Sequence, residues 1–176
     1  LPDTITIVGG DSLIAREISD LLEEMKPRPV VRLLSGDAGD PKLARSEEGE
    51  AIVLEPMNAA NFEDARVVVL AGSAESGKRA LALTKAPIVD VSGALEDVPG
   101  ARVGAPARIR VVPHPAARML ASFFAPLAAF GIRRSVAVVF EPASEQGQKG
   151  LHELQTQVVN LLSFKPLPKN VYDAQL

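Results

Sequence analysis

The stretch TITIVGGDSLIAREISDLLEEM, residues 4–25, decides the fold that we expect for this chain. It opens with five consecutive β-branched residues, which predict a strand that ends at Gly9 and Gly10. Apolar side chains then recur at the spacing of an amphipathic helix, namely at Leu13, Ile14, Ile18, Leu21, Leu22 and Met25. Asp11 or Ser12 can cap this helix, and prolines that follow it end it.

Strands and helices alternate along the rest of the chain. Short apolar runs predict further strands at 30–35, 50–56, 65–73, 86–93, 109–113 and 133–144, with a turn or loop at 36–42. Helical spacing predicts helices at about 75–84, at 116–130 with a kink or stop at Pro126, and within 145–163. This alternation favours βαβ crossovers, and therefore an α/β fold with a Rossmann-like, mostly parallel sheet and helices on both faces.

Composition excludes several classes of function. The chain of 176 residues is 47% hydrophobic with a net charge of −3, which favours a globular protein and argues against a nucleic-acid binder. It contains no cysteine and two histidines, so a thiol, a disulfide or a cysteine zinc site is excluded, and we expect no metal. No apolar run reaches membrane-spanning length, and the first residues do not resemble a signal peptide. We therefore expect a soluble, cytoplasmic protein with no membrane partner.

The pattern changes near residue 131, which predicts two domains. Residues 1–130 form a compact α/β pattern typical of a dinucleotide-binding domain. Residues 131–176 contain one predicted strand, one helix and a proline-spaced tail, and we interpret them as the start of a second, α+β domain. We expect the chain to be a fragment, or to lack regions of that domain.

The glycine turn after the first strand predicts a phosphate site. A GxxGxxG fingerprint would place phosphates on the helix N-terminus, which offers free N–H groups and a positive dipole end. Gly9, Ser12 and Ala15 stand at that spacing, so we assign Gly9, Ser12 and Leu13 to the candidate site. Asp11 opposes binding, since its carboxylate lies where a phosphate would be. The alternative, a tight strand–helix turn with no ligand, stays open.

Two further strand ends fit a cofactor. Ser35 ends the second strand, and Asp37 follows it as an acid that could bind the ribose of NAD, whereas NADP would require a basic residue. Asp37 could equally be a solvated residue of a glycine-rich turn. Gly72 and Ser73 could bring backbone close to a ligand, or form a plain turn. The candidate cofactor is therefore NAD or NADP.

The loop in IRVVPHPAARML, residues 109–120, lies where an α/β enzyme usually carries its chemistry, at the carboxyl end of a strand. No Cys, Ser, Lys or carboxylate occupies it. His114 could act as an acid or base, although a histidine between two prolines is more often structural or exposed. His152 lies on a polar helical face, where we expect it to be solvated.

Four segments resemble the aspartate-semialdehyde dehydrogenase family: ITIVGGDSLIAREISDLLEE, RVVVLAGSAESGKRALAL, APIVDVSGAL and VAVVFEPASEQGQKGLHEL. The resemblance implies a Rossmann-like NAD(P) domain and an α+β domain that carries dimerisation and substrate groups, hence a homodimer with a small-molecule substrate that the sequence does not identify. The family's enzymes reduce an acyl phosphate to a semialdehyde with NADPH. They use the cysteine of a Pro-Asn-Cys-Ser/Thr motif as nucleophile.

This sequence departs from the family at its reactive positions. The motif falls on Pro113, His114 and Pro115, so proline replaces the nucleophilic cysteine. The family's active-site glutamine falls on Glu141, which when ionised only accepts hydrogen bonds. Where the family carries an arginine, this chain has Glu96. The resemblance thus implies the fold without the thiol chemistry.

Three hypotheses remain open at this point. The first is a non-catalytic, semialdehyde dehydrogenase-like protein that keeps the fold, the dimer surface and some nucleotide affinity. The second is an active NAD(P)-dependent oxidoreductase that acts on an aldehyde or oxo group without cysteine, since hydride transfer needs no thiol. The third is an interaction scaffold with no cofactor, which would dock through the Leu/Val stripe of its last helix. Nucleotide binding separates the third from the others, and turnover separates the first from the second.

Overall fold

The computed structural model of the protein describes residues 3–36, 42–45 and 51–172. The chain divides into two compact units, Leu1–Gly131 and Ile132–Leu176. This division lies one residue from the boundary indicated by composition. The separate roles predicted for the two parts stay predictions.

The described residues contain eight strands and four α-helices. The strands are β1 (Thr4–Val8), β2 (Val30–Leu34), β3 (Lys42–Arg45), β4 (Ala51–Leu54), β5 (Ala65–Leu70), β6 (Ile88–Asp90), β7 (Ala101–Val103) and β8 (Ile109–Val111). The helices are α1 (Leu13–Glu23), α2 (Ala74–Leu83), α3 (Pro115–Phe124) and α4 (Gly147–Leu162). Three short 3₁₀ helices span Ala60–Phe62, Pro126–Phe130 and Ala143–Gln146.

Six strands form one parallel sheet in the order β2-β1-β5-β6-β8-β7. In the centre of the sheet Ile7 stands between Leu33 of β2 and Val69 of β5. Adjacent parallel strands must be joined by a crossover connection. The crossover from β1 to β2 contains α1, and the crossover from β5 to β6 contains α2. The predicted α/β, Rossmann-like sheet is therefore confirmed.

Apolar side chains are buried on both faces of this sheet. Ala15 of α1 packs with Ile7 and Val69 on one face. Ala80 of α2 packs with Val8 and Leu70 on the other. Burial on both faces explains why β1 and β5 read as nearly continuous apolar runs in the sequence.

The sequence pattern missed two strands, β3 and β7. β3 and β4 form a separate antiparallel pair, so the strand predicted at 50–56 belongs to this pair rather than to the main sheet. Leu43 and Val53 are exposed on it, and short exposed strands show no alternation of buried and polar residues. β7 is an edge strand of three residues with no buried side chain, so it too shows no strand pattern in the sequence.

The strand predicted at 133–144 is wrong. Residues 132–142 are all described and contain no strand, and every one of them is exposed. Val136, Val138 and Phe140 give the segment its strand-like alternation, but a strand also requires a neighbouring strand to receive its hydrogen bonds. The helix predicted within 145–163 is confirmed as α4, and the 3₁₀ helix at Pro126–Phe130 confirms the stop predicted at Pro126.

A buried carboxylate organises the second unit. Glu153 of α4 is 4% exposed and accepts hydrogen bonds from the backbone N–H groups of Asn170 (2.9 Å), Val171 (2.8 Å) and Tyr172 (3.0 Å). Burial acts to raise the pKa of Glu153, but these hydrogen bonds outweigh it and the pKa is lowered. The Tyr172 hydroxyl donates to the carbonyl of Ala143 at 3.0 Å. These contacts hold the segment after α4 against the helix.

Candidate functional site

The strand order places a crevice at the carboxyl ends of β1 and β5. The chain passes from β1 through α1 to β2 on one side, whereas β5 lies on the other side of β1. Ligands of open α/β sheets bind at such a point, where the strand order reverses. Gly9 and Gly10 follow β1 here, and Ala71 and Gly72 follow β5.

Gly9 and Gly72 bring the two strand ends into backbone contact. Gly9 has a φ of +80°, and a Cβ on it would lie 2.3 Å from the Cα of Gly72. A Cβ on Gly72 would lie 3.1 Å from the Cα of Gly9 and 2.7 Å from the Oγ of Ser76. Both positions therefore require glycine, and the two turns present one continuous surface of main chain.

The N-terminus of α1 opens next to this contact. The Ser12 Oγ accepts from the N–H of Ala15 at 3.2 Å, and the Ser12 N–H donates to the carbonyl of Gly9 at 3.0 Å. Capping uses one of the free amides of the first turn and leaves those of Leu13 and Ile14 without an acceptor in the helix. An anion at this helix end would meet these two amides and the positive end of the helix dipole.

The amides of the glycine turn itself have other partners. The N–H groups of Gly9 and Gly10 both donate to the carbonyl of Leu34 at 3.0 Å, which ties the turn to the end of β2. Gly9 therefore contributes its lack of a side chain to this turn, and its N–H is already bonded to Leu34. Asp11 is exposed beside the turn, and its opposition to phosphate stays a prediction.

A second capped helix begins at the same edge. The Ser73 Oγ accepts from the N–H of Ser76 at 3.2 Å, and the Ser76 hydroxyl donates to the carbonyl of Ser73 at 2.8 Å. Ser76 is 1% exposed, so this network is internal. Gly72 and Ser73 thus form one wall of the crevice, with α2 behind it.

The end of β2 receives a cation from α2. Ser35 is 2% exposed, and its N–H donates to the carbonyl of Glu55 at 2.9 Å. The Nη2 of Arg79 donates to the carbonyl of Gly36 at 2.7 Å. Asp37, the predicted ribose acid, lies outside the described residues. Sequence reasoning searched the loop for a basic residue and missed Arg79, because it comes from a helix 43 residues further along the chain.

The carboxylate at the end of β6 serves its own loop. Asp90 is fully buried and accepts from the N–H (2.9 Å) and hydroxyl (2.7 Å) of Ser92 and from the N–H of Leu95 (2.8 Å). Glu96, which stands at the family's arginine position, is exposed in the same loop. Asp90 therefore fixes the shape of the corner.

The Pro-His-Pro corner is the start of a helix. His114 caps α3, its Nδ1 accepting from the N–H of Ala116 at 3.3 Å, and Pro115 is the first helical residue. Proline suits this position, because its missing N–H would have no helical acceptor. The corner follows β8, two strands from β5, so it lies about 10 Å along the same edge of the sheet. The corner therefore carries a helix cap and a proline.

The structure brings most of the predicted residues to one edge. Gly9, Ser12, Leu13, Ser35, Gly72 and Ser73 lie around the crevice at the ends of β1, β2 and β5. His114 and Pro115 share that edge at the end of β8. Glu141 lies in the second unit and is exposed in a segment without strand structure, so its predicted place at a strand end is wrong. His152 is exposed on α4, as expected. The binding roles themselves stay predictions.

Among residues 3–36, 42–45 and 51–172, no three His, Asp or Glu side chains lie together in a way that could hold a metal ion. None of the helices in this part of the chain has both the length and the apolar character needed to cross a membrane.

Comparison with known proteins identifies the fold. No protein-family model and no curated protein matches the sequence. Solved structures do match. The aspartate semialdehyde dehydrogenase II of Vibrio cholerae has a TM-score of 0.75 at 18% identity, and its structure complexed with ASA has a TM-score of 0.73 at 15% identity. A probable aspartate-semialdehyde dehydrogenase from Pseudomonas aeruginosa has a TM-score of 0.66 at 20% identity.

The extent of these matches defines what they show. They cover 99–100% of this chain and 57% of each of the matched chains. At identities of 15–20%, these matches show a shared fold and do not show a shared function. The chain is therefore similar in fold to a little over half of an aspartate-semialdehyde dehydrogenase.

Proposed function

We propose that this chain binds NAD or NADP at the crevice between β1 and β5 and lacks the thiol-dependent dehydrogenase reaction. The observation that carries the proposal is the backbone contact of Gly9 with Gly72, next to the capped N-terminus of α1. A Cβ at Gly9 would lie 2.3 Å from the Cα of Gly72, so only glycine lets the two strand ends come together beside this helix end. The chain carries both glycines and no cysteine.

The residues of the crevice fit a dinucleotide. The amides of Leu13 and Ile14 would hold the pyrophosphate, with the Ser12 cap beside them. The ribose of the adenosine half would lie near Ser35 at the end of β2. Gly72 and Ser73 would form the opposite wall. When bound, the cofactor would supply a hydride donor or acceptor, and the chain's own residues would orient it.

Pro115 supports the absence of thiol chemistry. The residue at this position begins α3 and has neither a nucleophilic atom nor an N–H. The chain contains no cysteine that could replace it. The chain spans 57% of the length of the solved structures that it matches. Any statement about the activity of a longer protein that contains it therefore belongs to this proposal.

Calorimetric titration with NAD, NADH, NADP and NADPH tests the proposal. We expect micromolar binding of at least one of them. Ser12→Asp should abolish it, because aspartate still caps the helix while its carboxylate repels the pyrophosphate. The matched control is Gln155→Glu, which adds the same charge on the exposed side of α4. Absence of heat and of a thermal shift with all four nucleotides would contradict the proposal.

The second candidate is an oxidoreductase that uses His114. The Nδ1 of this histidine accepts the N–H of Ala116, which assigns the ring proton to Nε2 and directs a proton donor away from the helix. Turnover of aldehydes with a bound cofactor, lost in His114→Asn, would favour it. Asparagine retains a cap for α3, so the fold is preserved in this variant.

The third candidate, which the first does not exclude, is association between copies of the chain. We propose a homodimer through the second unit. Its exposed apolar side chains support this, because exposed apolar surface favours association; they are Val136, Val138 and Phe140 before α4, and Leu161, Leu162 and Phe164 at its end. Sedimentation velocity measures the oligomeric state directly. A scaffold without cofactor would show association and no nucleotide binding.

A further inference from the structure

One row of side chains shows that the main sheet is covered unequally. Register partners cross the neighbouring strands β1, β5, β6, β8 and β7 at Ile7, Val69, Val89, Arg110 and Arg102. Register partners of parallel strands point to the same face. Ile7 is fully buried and Val69 is 8% exposed, because α1 packs over them. Val89 is half-buried, and Arg110 and Arg102 are exposed, so the cover on this face ends after β5.

The opposite face stays buried across the same strands. Val68, Ile88 and Ile109 are register partners on β5, β6 and β8, and all three are buried. Ala101 of the edge strand β7 packs against the same core. Parallel sheets are normally covered on both faces. We therefore call the part of β6, β8 and β7 that carries Val89 and the two arginines the open face.

The open face has the dimensions of one helix. Its three strands span about 10 Å, since neighbouring strands lie about 4.8 Å apart. Each strand contains three residues, a length that is also about 10 Å. An α-helix measures about 10 Å across with its side chains and rises about 5.4 Å per turn, so two turns would cover this area. The packing of α1 beside it shows that this side of the sheet accepts a helix.

Two cations define the chemistry of what the open face would bind. The guanidinium of Arg110 has no hydrogen bond or ion pair with another described residue, and that of Arg102 donates to the carbonyl of Ala101 at 3.2 Å. Their Cα atoms are about 4.8 Å apart, a separation at which like charges on neighbouring strands repel. Carboxylates between the two guanidiniums would relieve this repulsion and accept paired hydrogen bonds. Val89 and Val112, which is 40% exposed, add apolar surface.

We propose that the open face docks an amphipathic helix of a partner protein, with apolar side chains toward Val89 and carboxylates toward Arg102 and Arg110. The charges argue against a second copy of this chain in the same place, because a two-fold symmetric contact would bring the arginines of both copies together. The proposal goes beyond the nucleotide function and does not depend on it.

A pair of synthetic peptides tests the proposal on the full chain. Both are about 15 residues long, the length at which an isolated helix becomes stable, and both carry leucines at helical spacing on one face. One has glutamates beside this face and the other has lysines. Fluorescence anisotropy measures their binding. We expect the glutamate peptide to bind at least about tenfold more tightly than the lysine peptide, with a difference that shrinks as salt is added.

Charge reversal locates the binding. Arg110→Glu should weaken the glutamate peptide at least about tenfold and strengthen the lysine peptide, because the charge that each peptide meets is inverted. Lys78→Glu makes the same change of charge at an exposed position of α2 and should alter neither. Val89→Thr keeps a β-branched side chain in β6 and should weaken both peptides, because apolar contact area is lost. Circular dichroism checks that each variant is folded.

Three outcomes would overturn the proposal. The first is a wild-type chain that binds neither peptide, or both equally. The second is equal weakening of the glutamate peptide by Arg110→Glu and Lys78→Glu, which would place the binding elsewhere on the chain. The third is self-association of the chain that Arg110→Glu abolishes in sedimentation velocity, which would assign the open face to a second copy. Arg110→Glu should bind nucleotides as the wild-type chain does, so failure here leaves the proposed function standing.

Discussion

Gly9 and Gly72 touch through their backbones where β1 and β5 end, the Cα of Gly72 standing 2.3 Å from the place that a Gly9 Cβ would take. Gly9→Ala would create this overlap and also force alanine into a positive φ of +80°. We expect a loss of about 2–5 kcal/mol in the free energy of unfolding. Urea denaturation measures it.

The matched control for this variant is Gly104→Ala. Gly104 also has a positive φ, of +67°, but nothing lies within 4 Å of its Cβ position. Only the backbone strain then remains, about 1–2 kcal/mol. If the two variants are destabilised equally, the Gly9–Gly72 contact has no energetic importance.

The Ser12 cap should contribute to stability independently of any ligand. Ser12→Ala removes the acceptor of the Ala15 N–H and should lower the free energy of unfolding by about 1 kcal/mol. Ser12→Asp, which keeps an acceptor, should unfold like the wild-type chain. Thermal denaturation followed by circular dichroism distinguishes the two. Similar losses in both variants would argue that the serine acts through something other than capping.

Asp90 should be needed for the corner after β6. Its carboxylate receives three hydrogen bonds from Ser92 and Leu95. In Asp90→Asn an amide NH₂ would face one of these donors, so we expect a loss of about 1–3 kcal/mol in chemical denaturation. Asp97→Asn, an exposed change nearby, should cost almost nothing. An Asp90→Asn chain as stable as wild type would contradict this account of the corner.

Acidification should release the segment that Glu153 holds. The pKa of Glu153 is lower in the folded chain than the ordinary value of 4.5, so its stabilising effect is present above that pH and is lost as the pH falls through the lowered pKa. Hydrogen exchange of the amides of Asn170, Val171 and Tyr172 reports it directly. Their protection, beyond the intrinsic dependence of exchange on pH, should fall below about pH 4.5.

Glu153→Gln should show the same loss of protection already at neutral pH, since a neutral amide binds three N–H groups less well than a carboxylate. Glu17→Gln, an exposed change on α1, provides the control. Unchanged protection in Glu153→Gln would mean that other contacts hold residues 170–172.

The proposed dimer makes a prediction about Phe140, which is 94% exposed. Phe140→Ser should shift the sedimentation coefficient toward that of the monomer, because it removes apolar area from the proposed interface. Phe130→Ser, a change at another exposed phenylalanine in the first unit, should not do so. A wild-type chain that sediments as a monomer at all concentrations would contradict the proposal.

Local pattern predicted the main sheet well. Both faces of β1 and β5 are buried, and burial of this kind leaves apolar runs that can be read without a structure. β7 is too short to leave a pattern, and the segment 133–144 shows the reverse failure, a strand pattern without a partner strand. Sequence reasoning also limited the cap of α1 to Asp11 or Ser12, because capping depends on neighbours along the chain, and the structure shows that Ser12 is the cap.

Arg79 and Gly72 show what local pattern omits. The position of the Arg79 side chain depends on a contact with Gly36, 43 residues earlier in the chain, whereas a helical arginine is ordinarily expected to face solvent. The requirement for glycine at 72 comes from Gly9 on a different strand. Both facts depend on which strands lie side by side, and that cannot be read from a short stretch of sequence.

The proline that begins α3 stands at a position with a consequence for the reactivity that a cysteine would have there. Position 115 is the first residue of a helix of ten residues, and the end of a helix stabilises a thiolate over a thiol. The scaffold around this residue would thus activate a sulfur atom if one were present. Pro115→Cys is one substitution, and the rate at which iodoacetamide modifies that cysteine would show whether this helix end activates a thiol.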